Sequence, residues 1–109
     1  MVGEGDQVMQ QLLQVQKQET KLKPSQILRQ TKCIQYRGHY GYGNVVCALG
    51  AIARFHGWDG TYDNSHDTPS TILETVITDP STRARVTILN DDEHKSFSEI
   101  ADWLEERGL

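Results

Sequence analysis

From Val45 to Phe55 the chain reads VVCALGAIARF, a stretch in which Arg54 is the sole charge and every other side chain is apolar or small. Wound as a helix it presents apolar surface all the way round, and such a helix persists in water only when other elements cover most of its sides. The remainder of a short chain must therefore wrap it. Asn44 is placed to cap it, with Val45, Val46 and Cys47 in the first three helical positions, and the expected element runs from about 44 to 57. Gly50 falls in its interior beside Ala48 and Ala51. Glycine there costs about 1 kcal/mol relative to alanine, so its presence predicts a second backbone crossing closely at that point.

Helical periodicity supplies the wrapping elements. Residues 1–5 carry no pattern and are expected to be disordered. Residues 6–22, DQVMQQLLQVQKQETKL, set Val8, Leu12, Val15 and Leu22 on one stripe behind Asp6 as a cap. That amphipathic helix either docks on the core or pairs with a copy of itself. Pro24 opens a second helix, PSQILRQTKCI, with Ile27, Leu28, Thr31 and Ile34 at helical spacing, and the glycines at 38, 41 and 43 end it in a loop. Thr68 followed by Pro69 is a cap and a first helical residue, and Ile72, Leu73, Val76 and Ile77 follow on one face. STRARVTIL, from Ser81, reads as helix through Ala84 and Ile88, or as a short strand near 85–89 through Val86, Thr87 and Ile88; the helical reading is preferred. Ser96 and Glu99 form a capping box for a last helix that buries Phe97, Ile100, Ala101, Trp103 and Leu104 and stops at Gly108. The expected fold is mainly α, a single domain over 1–109 with four or five helices around the buried central one.

At 109 residues the chain is long enough to bury roughly 60–70 % of its extended surface, so its core needs no metal or disulfide. No apolar run approaches the roughly 20 residues of a membrane span, and the start MVGEGDQ has no basic segment leading into an apolar one. A cytoplasmic chain is expected, with Cys33 and Cys47 as thiols. The net charge of -4 conceals an asymmetry: six basic residues against Glu19 alone from Lys17 to Arg37, but twelve acids against four bases from Asp59 onward. The simplest reading docks the basic part on the acidic part or leaves both as solvated faces; the sharper one makes the basic segment 17–37 a surface for an anionic ligand.

Several chemistries can be weighed on named residues. A thiol in the first turn of a helix sees the positive end of the helix dipole, which favours the thiolate. Cys47 with His94 (or His66) as base and Asn90 (or Asp91) as orienting group would make a cysteine-dependent hydrolase or transferase. Against it, free cysteine is among the most often buried residue types, and CALGA looks like small-residue packing. Cys33, His39, Cys47 and His56 lack the short ligand pairs of a metal site, so no metal and no cofactor is expected. GHYGYGN lacks the lysine and spacing of a phosphate-binding loop. The acidic run Asn90 to Glu93 reads as caps and solvated loop, having no EF-hand glycine pattern. Arg29, Lys32 and Arg37 next to Tyr36, His39, Tyr40 and Tyr42 offer cations and stacking rings for nucleic acid, which the overall acidity opposes.

CALGAI at Cys47 to Ile52, LND at Leu89 to Asp91 and SFSEIADWLE at Ser96 to Glu105 together resemble a small uncharacterised family of bacteria and their phages. Its members carry a W-x-Q-G-like segment, then C-A-L-G-A, then an N-D pair ahead of a final helix. The resemblance spans about residues 25 to 107. Gln35 stands at the family glutamine, whereas Cys33 replaces the tryptophan before it. The resemblance implies a small, mostly helical domain and no established activity.

By elimination the expected function is a small non-enzymatic binding or interaction protein, a monomer or homodimer, for a protein or small-molecule partner. Its surface would be built from Tyr36, Arg37, His39, Tyr40 and Tyr42 and from the turn-rich loop that starts at Trp58 and runs to Asp67. The cysteine enzyme is the first alternative and nucleic-acid binding the second.

Overall fold

The computed structural model describes residues 22–38, 40–62 and 68–109. The amphipathic segment 6–22 (all but its last residue), the segment 1–5, His39 and His66 lie outside them. In chain order come helix α1 (Pro24–Gln30), strands β1 (Ile34–Gln35), β2 (Gly41–Tyr42) and β3 (Val45–Val46), then helices α2 (Ala48–Phe55), α3 (Pro69–Val76), α4 (Pro80–Asp91) and α5 (Phe97–Glu105). The mainly α expectation holds at that level, with five described helices and a small three-stranded sheet.

The apolar segment is divided between two elements, which corrects the expected helix over 44–57. Val45 and Val46 form a strand, Cys47 is the N-cap, and the helix starts at Ala48. The local cause is a two-residue turn. Gly43 takes φ 63°, open to glycine at no cost, and with Asn44 it returns the chain so that Tyr42 pairs with Val45 and Gly41 with Val46. Two consecutive β-branched residues after such a turn favour the extended chain over a helical first turn. β3 lies in the middle of the sheet, antiparallel to β2 and parallel to β1, with Ile34 opposite Val45. Asn44 therefore caps nothing: its carbonyl accepts from the Ile34 N–H and its side-chain oxygen from Arg54. Likewise α1 stops at Gln30, because Ile34 is drawn into the sheet.

The short strand entertained near 85–89 is absent, since those residues sit inside α4. Asp79 caps this helix from Pro80, accepting from the Ser81 backbone N–H and from the Ser81 and Thr82 hydroxyls. Four side-chain and backbone features fixed by sequence do appear: Thr68 capping α3 with Pro69 at its first position, the Ser96–Glu99 capping box of α5, and Gly108 at φ 77° past its end.

Helix α2 is the hidden axis. Ala48 to Ala53 are all buried, and α1, α3 and α4 pack against it, while α1 also lies along α5. Ile27 and Leu28 of α1, Leu73 of α3, Val86 and Leu89 of α4, and Ile100 and Leu104 of α5 close the core. The basic and acidic parts do meet: Arg29 of α1 bonds Asp102 at 2.6 Å and Glu105 at 2.7 Å on α5.

Gly50 shows why a small residue is required. A Cβ there would press on the carbonyl oxygen of Tyr40 and lie 2.9 Å from Val46 Cβ. Tyr40 itself adopts φ 51°, and its carbonyl accepts from the Cys47 N–H at 3.0 Å, so this strained crossing is pinned on both sides. Gly50→Ala should destabilise the protein by about 1–3 kcal/mol in urea unfolding, because overpacking outweighs the roughly 1 kcal/mol that alanine gains in helix propensity.

Three exposed carboxylates hold turns or caps. Asp79 is held below its ordinary range by the Thr82 and Ser81 hydroxyls, Asp59 by the backbone N–H and hydroxyl of Thr61, and Glu99 by the backbone N–H of Ser96. In each the folded state binds its proton more weakly than the unfolded chain does. Their contribution is thus complete above about pH 4.5 and lost as pH falls through the folded values. Thermal unfolding followed between neutral pH and about pH 3 should show the midpoint falling on acidification, with a shallower fall in Asp79→Asn than in wild type.

Candidate functional site

Asn90 sits on the buried stripe of α4, four residues after Val86 and next to Leu89, where an apolar side chain would be the usual occupant. All four of its hydrogen-bonding sites are used. Oδ1 accepts from Gln35 Nε2 at 2.9 Å and from the Ala48 N–H at 3.1 Å; Nδ2 donates to the Tyr36 carbonyl at 2.8 Å and to Asp91 Oδ1 at 2.7 Å. One side chain thereby ties β1, the first turn of α2 and the end of α4. Gln35 and Arg37 extend the tie, Gln35 to the Lys95 carbonyl and Arg37 to the carbonyls of Asn90 and Lys95.

Cys47 borders this network and is 5 % exposed. Its Sγ accepts from the Gly50 N–H at 3.3 Å as the N-cap of α2. Burial pushes the thiol pKa up, the Gly50 N–H pulls it down, and the Asp91 charge pushes it up again, with a raised value the net result. The thiol is therefore protonated at neutral pH. Of the proposed catalytic partners, Asn90 lies one hydrogen bond from Ala48 but has no free valence for an imidazole. His94 is exposed in the α4–α5 loop at φ 55°. His56 caps the far end of α2, roughly 13 Å along the helix from Cys47. Among the described residues no hydrogen bond joins the Cys47 sulfur to a histidine.

The two thiols are free. Extending the β1–β3 register by a residue at each end sets Cys33 opposite Asn44 and Cys47 opposite Tyr36, so the cysteines stand three residues, roughly 10 Å, apart along the strands. That exceeds the Cα reach of a disulfide. No cluster of three His, Cys, Asp or Glu side chains is assembled among the described residues. Glu93 of the acidic run pairs with Arg85 at 2.9 Å.

The aromatic residues separate into two sets. Trp58, expected on the binding surface, is instead 2 % exposed: its ring belongs to the core and its Nε1 donates to the Thr61 carbonyl at 2.8 Å. Tyr40 is half-buried and packs its edge on Trp58 with ring centres 6.4 Å apart. Arg37 is turned to the two carbonyls named above. Tyr36 and Tyr42 do face outward, Tyr62 of the expected loop joins them, and so do two residues not anticipated, Ile34 and Val45.

Strand alternation explains the grouping. Ile34, Val45 and Tyr42 are register partners, so their side chains form one row across the outer face; Gln35, Val46 and Gly41 form the inner row. Ile34 is 66 % exposed, Tyr42 61 % and Val45 42 %, whereas Val46 is fully buried. Tyr62 arrives from the loop after Trp58, its hydroxyl donating to the Gly41 carbonyl at 2.7 Å and its ring centre 6.5 Å from that of Tyr42. Tyr36, Gly41, Tyr42, Val45 and Tyr62 line an open cleft of about 370 Å³. The signal for Ile34 and Val45 was present in the sequence as Ile-Gln-Tyr and as a Gly-Asn pair between Tyr42 and Val45.

A second cavity of about 370 Å³ lies between α1 and α2, where Cys33 meets Leu22, Ile27, Ala51 and Phe55. No helix among the described residues is long and apolar enough to cross a membrane. Comparison with protein-family models, curated proteins and solved structures finds no match. The fold and site define the class only: a mainly α domain that carries an apolar, aromatic sheet face.

Replacing Asn90 by alanine leaves the buried Ala48 N–H and the part-buried Tyr36 carbonyl without their Asn90 partner. Asn90→Ala should cost about 2–4 kcal/mol in denaturant unfolding, more than a surface Asn of α4 could.

Proposed function

We propose that this chain is a non-enzymatic binding domain whose partner docks on the outer face of the sheet. The observation that carries the reading is the row Ile34–Val45–Tyr42, flanked by Tyr36 and Tyr62: of the seven exposed large apolar residues among those described, Phe55 and Ile88 being the others, five gather on this face. Large exposed apolar patches mark interaction sites in soluble proteins, and tyrosine is enriched where partners meet. The face stands on β-strands tied to α2 and α4 through Asn90, so a partner meets a surface already in place.

The cysteine-enzyme reading is less well supported. The Cys47 thiol is buried, has its pKa raised and is used as a helix cap. The nucleic-acid reading loses two of its cations to internal bonds, Arg29 to Asp102 and Glu105 and Arg37 to backbone carbonyls. A protein partner and a non-enzymatic role fit these facts best.

The double variant Tyr36→Ala/Tyr42→Ala removes two exposed rings and should leave the thermal midpoint within a few degrees of wild type. Quantitative affinity capture on immobilised protein should lose the partner species that wild type retains, and Cys47→Ser should retain them. Capture untouched by the tyrosine pair but abolished by Cys47→Ser at an unchanged thermal midpoint would overturn the reading in favour of thiol chemistry.

A further inference from the structure

We propose that the groove between α1 and α2 is the seat of this chain's own amphipathic segment, residues 6–21, packed as a helix antiparallel to α1.

The groove has the form a further helix needs. Its walls are Ile27, Gln30 and Thr31 along α1 and Ala51, Arg54 and Phe55 along α2, each set at the i, i+3, i+4 spacing that makes one side of a helix. Ridges spaced in this way leave a furrow that accepts the side chains of another helix. Ile27 and Ala51 are almost fully buried, whereas Phe55 is 40 % exposed and is one of the two exposed large apolar residues away from the sheet face.

The chain itself delivers an occupant to this place. Leu22, the first described residue, lines the groove ahead of α1 and packs against the core, and Cys33 lines it just past the end of that helix. Only Leu22 and Lys23 stand between the segment and Pro24, and so short a connection makes neighbouring helices antiparallel. A helix leading into Leu22 therefore lies back along the groove towards Cys33. Leu22 belongs to the stripe Val8, Leu12, Val15 and Leu22, so the side it turns to the groove is the side that carries the other three. Val15 precedes Leu22 by roughly 10 Å of helix, and the seven residues of α1 are equally long, which brings Val15 level with Cys33.

Charge agrees. Glu19, the one acidic residue from Lys17 to Arg37, lies on the same stripe, one turn before Leu22. The cation of the groove is Arg54, whose two terminal nitrogens bond the Trp58 carbonyl and the Asn44 side chain and whose Nε is buried without a partner. Among the described residues no carboxylate pairs with it; Asp59 feels its charge but is bonded to Thr61. A second copy could offer the same stripe, but the Lys23 tether holds the chain's own segment at an effective concentration of about millimolar, which favours the intramolecular seat.

Disulfide trapping in the whole 109-residue chain tests this. Val15→Cys faces Cys33, whereas Lys17→Cys, about 200° further round the helix, faces away. In a glutathione redox buffer Val15→Cys should link to Cys33 of the same chain at least about tenfold faster than Lys17→Cys does, read by non-reducing electrophoresis and peptide mass. Equal rates overturn the assignment, and so do links between chains alone, which would seat the segment on a neighbouring copy. Alkylation gives a second readout. Leu12→Asp/Val15→Asp should raise the rate at which iodoacetamide modifies Cys33 at least about tenfold while Cys47 stays unmodified, which certifies the fold. An unchanged Cys33 rate with Cys47 still protected overturns the assignment as well. Neither measurement touches Tyr36 or Tyr42, so the sheet-face reading stands or falls separately.

Discussion

The side chain of Asn90 is the point at which this small fold is fastened. An amide has two donors and two acceptor sites, and here each is filled by a different neighbour, three of them on other elements or on the chain just past one. A leucine at the same place on the α4 stripe could fill the volume but would leave the Ala48 N–H and the Tyr36 carbonyl unpaired. Burying those two backbone groups costs more than the apolar contact returns. The polar residue in an apolar stripe therefore reports a backbone need. It also joins segments far apart in sequence, Gln35 and Tyr36 to Asn90, and so fixes how the sheet sits on the helices.

Once the sheet is fixed, its two faces follow from strand geometry. The alternation that sends Val46 into the core sends Val45 out, and register then lines Val45 with Ile34 on one side and Tyr42 on the other. The exposed row cannot be withdrawn without exposing Val46. The crossing of Tyr40 over Gly50 adds a further restraint, since the chain between β1 and β2 must pass where only glycine allows it. Apolar exposure on this face is thus built into the architecture, and the Tyr62 hydroxyl bonded to Gly41 brings one more ring to it.

Much of this was legible in the sequence where a single local signal dominates. Thr68–Pro69 and the Ser96–Glu99 box announced helix starts that tertiary contacts had no reason to move. Gly50 announced a close crossing because its helix cost demands a compensating reason. The sequence misled where two signals competed. Apolar composition from Val45 onward suggested one helix, but the Gly43–Asn44 turn and paired valines set a strand first; periodicity cannot separate a two-residue strand from a first helical turn. Trp58 looked like a loop aromatic because its neighbours are turn residues, yet its ring is the largest fully buried side chain. Asn90 could be named from the sequence but not given its role, because three of its four partners lie more than forty residues away.

Cys47 shows how burial weighs on a position that suits two chemistries. The start of α2 leaves backbone N–H groups to satisfy. Ala48 donates to Asn90, Gly50 to the Cys47 sulfur and Ala51 to the Cys47 carbonyl. Serine or aspartate is the common residue for such a cap, but at 5 % exposure a hydroxyl or carboxylate would have to give up most of its hydration. A thiol accepts weakly and is cheap to bury. The dipole that would favour a thiolate at this place is opposed by the same dryness, and by Asp91 nearby, and the raised pKa is the outcome of that contest. A sulfur that closes the core and caps its central helix meets both of these structural needs at one position.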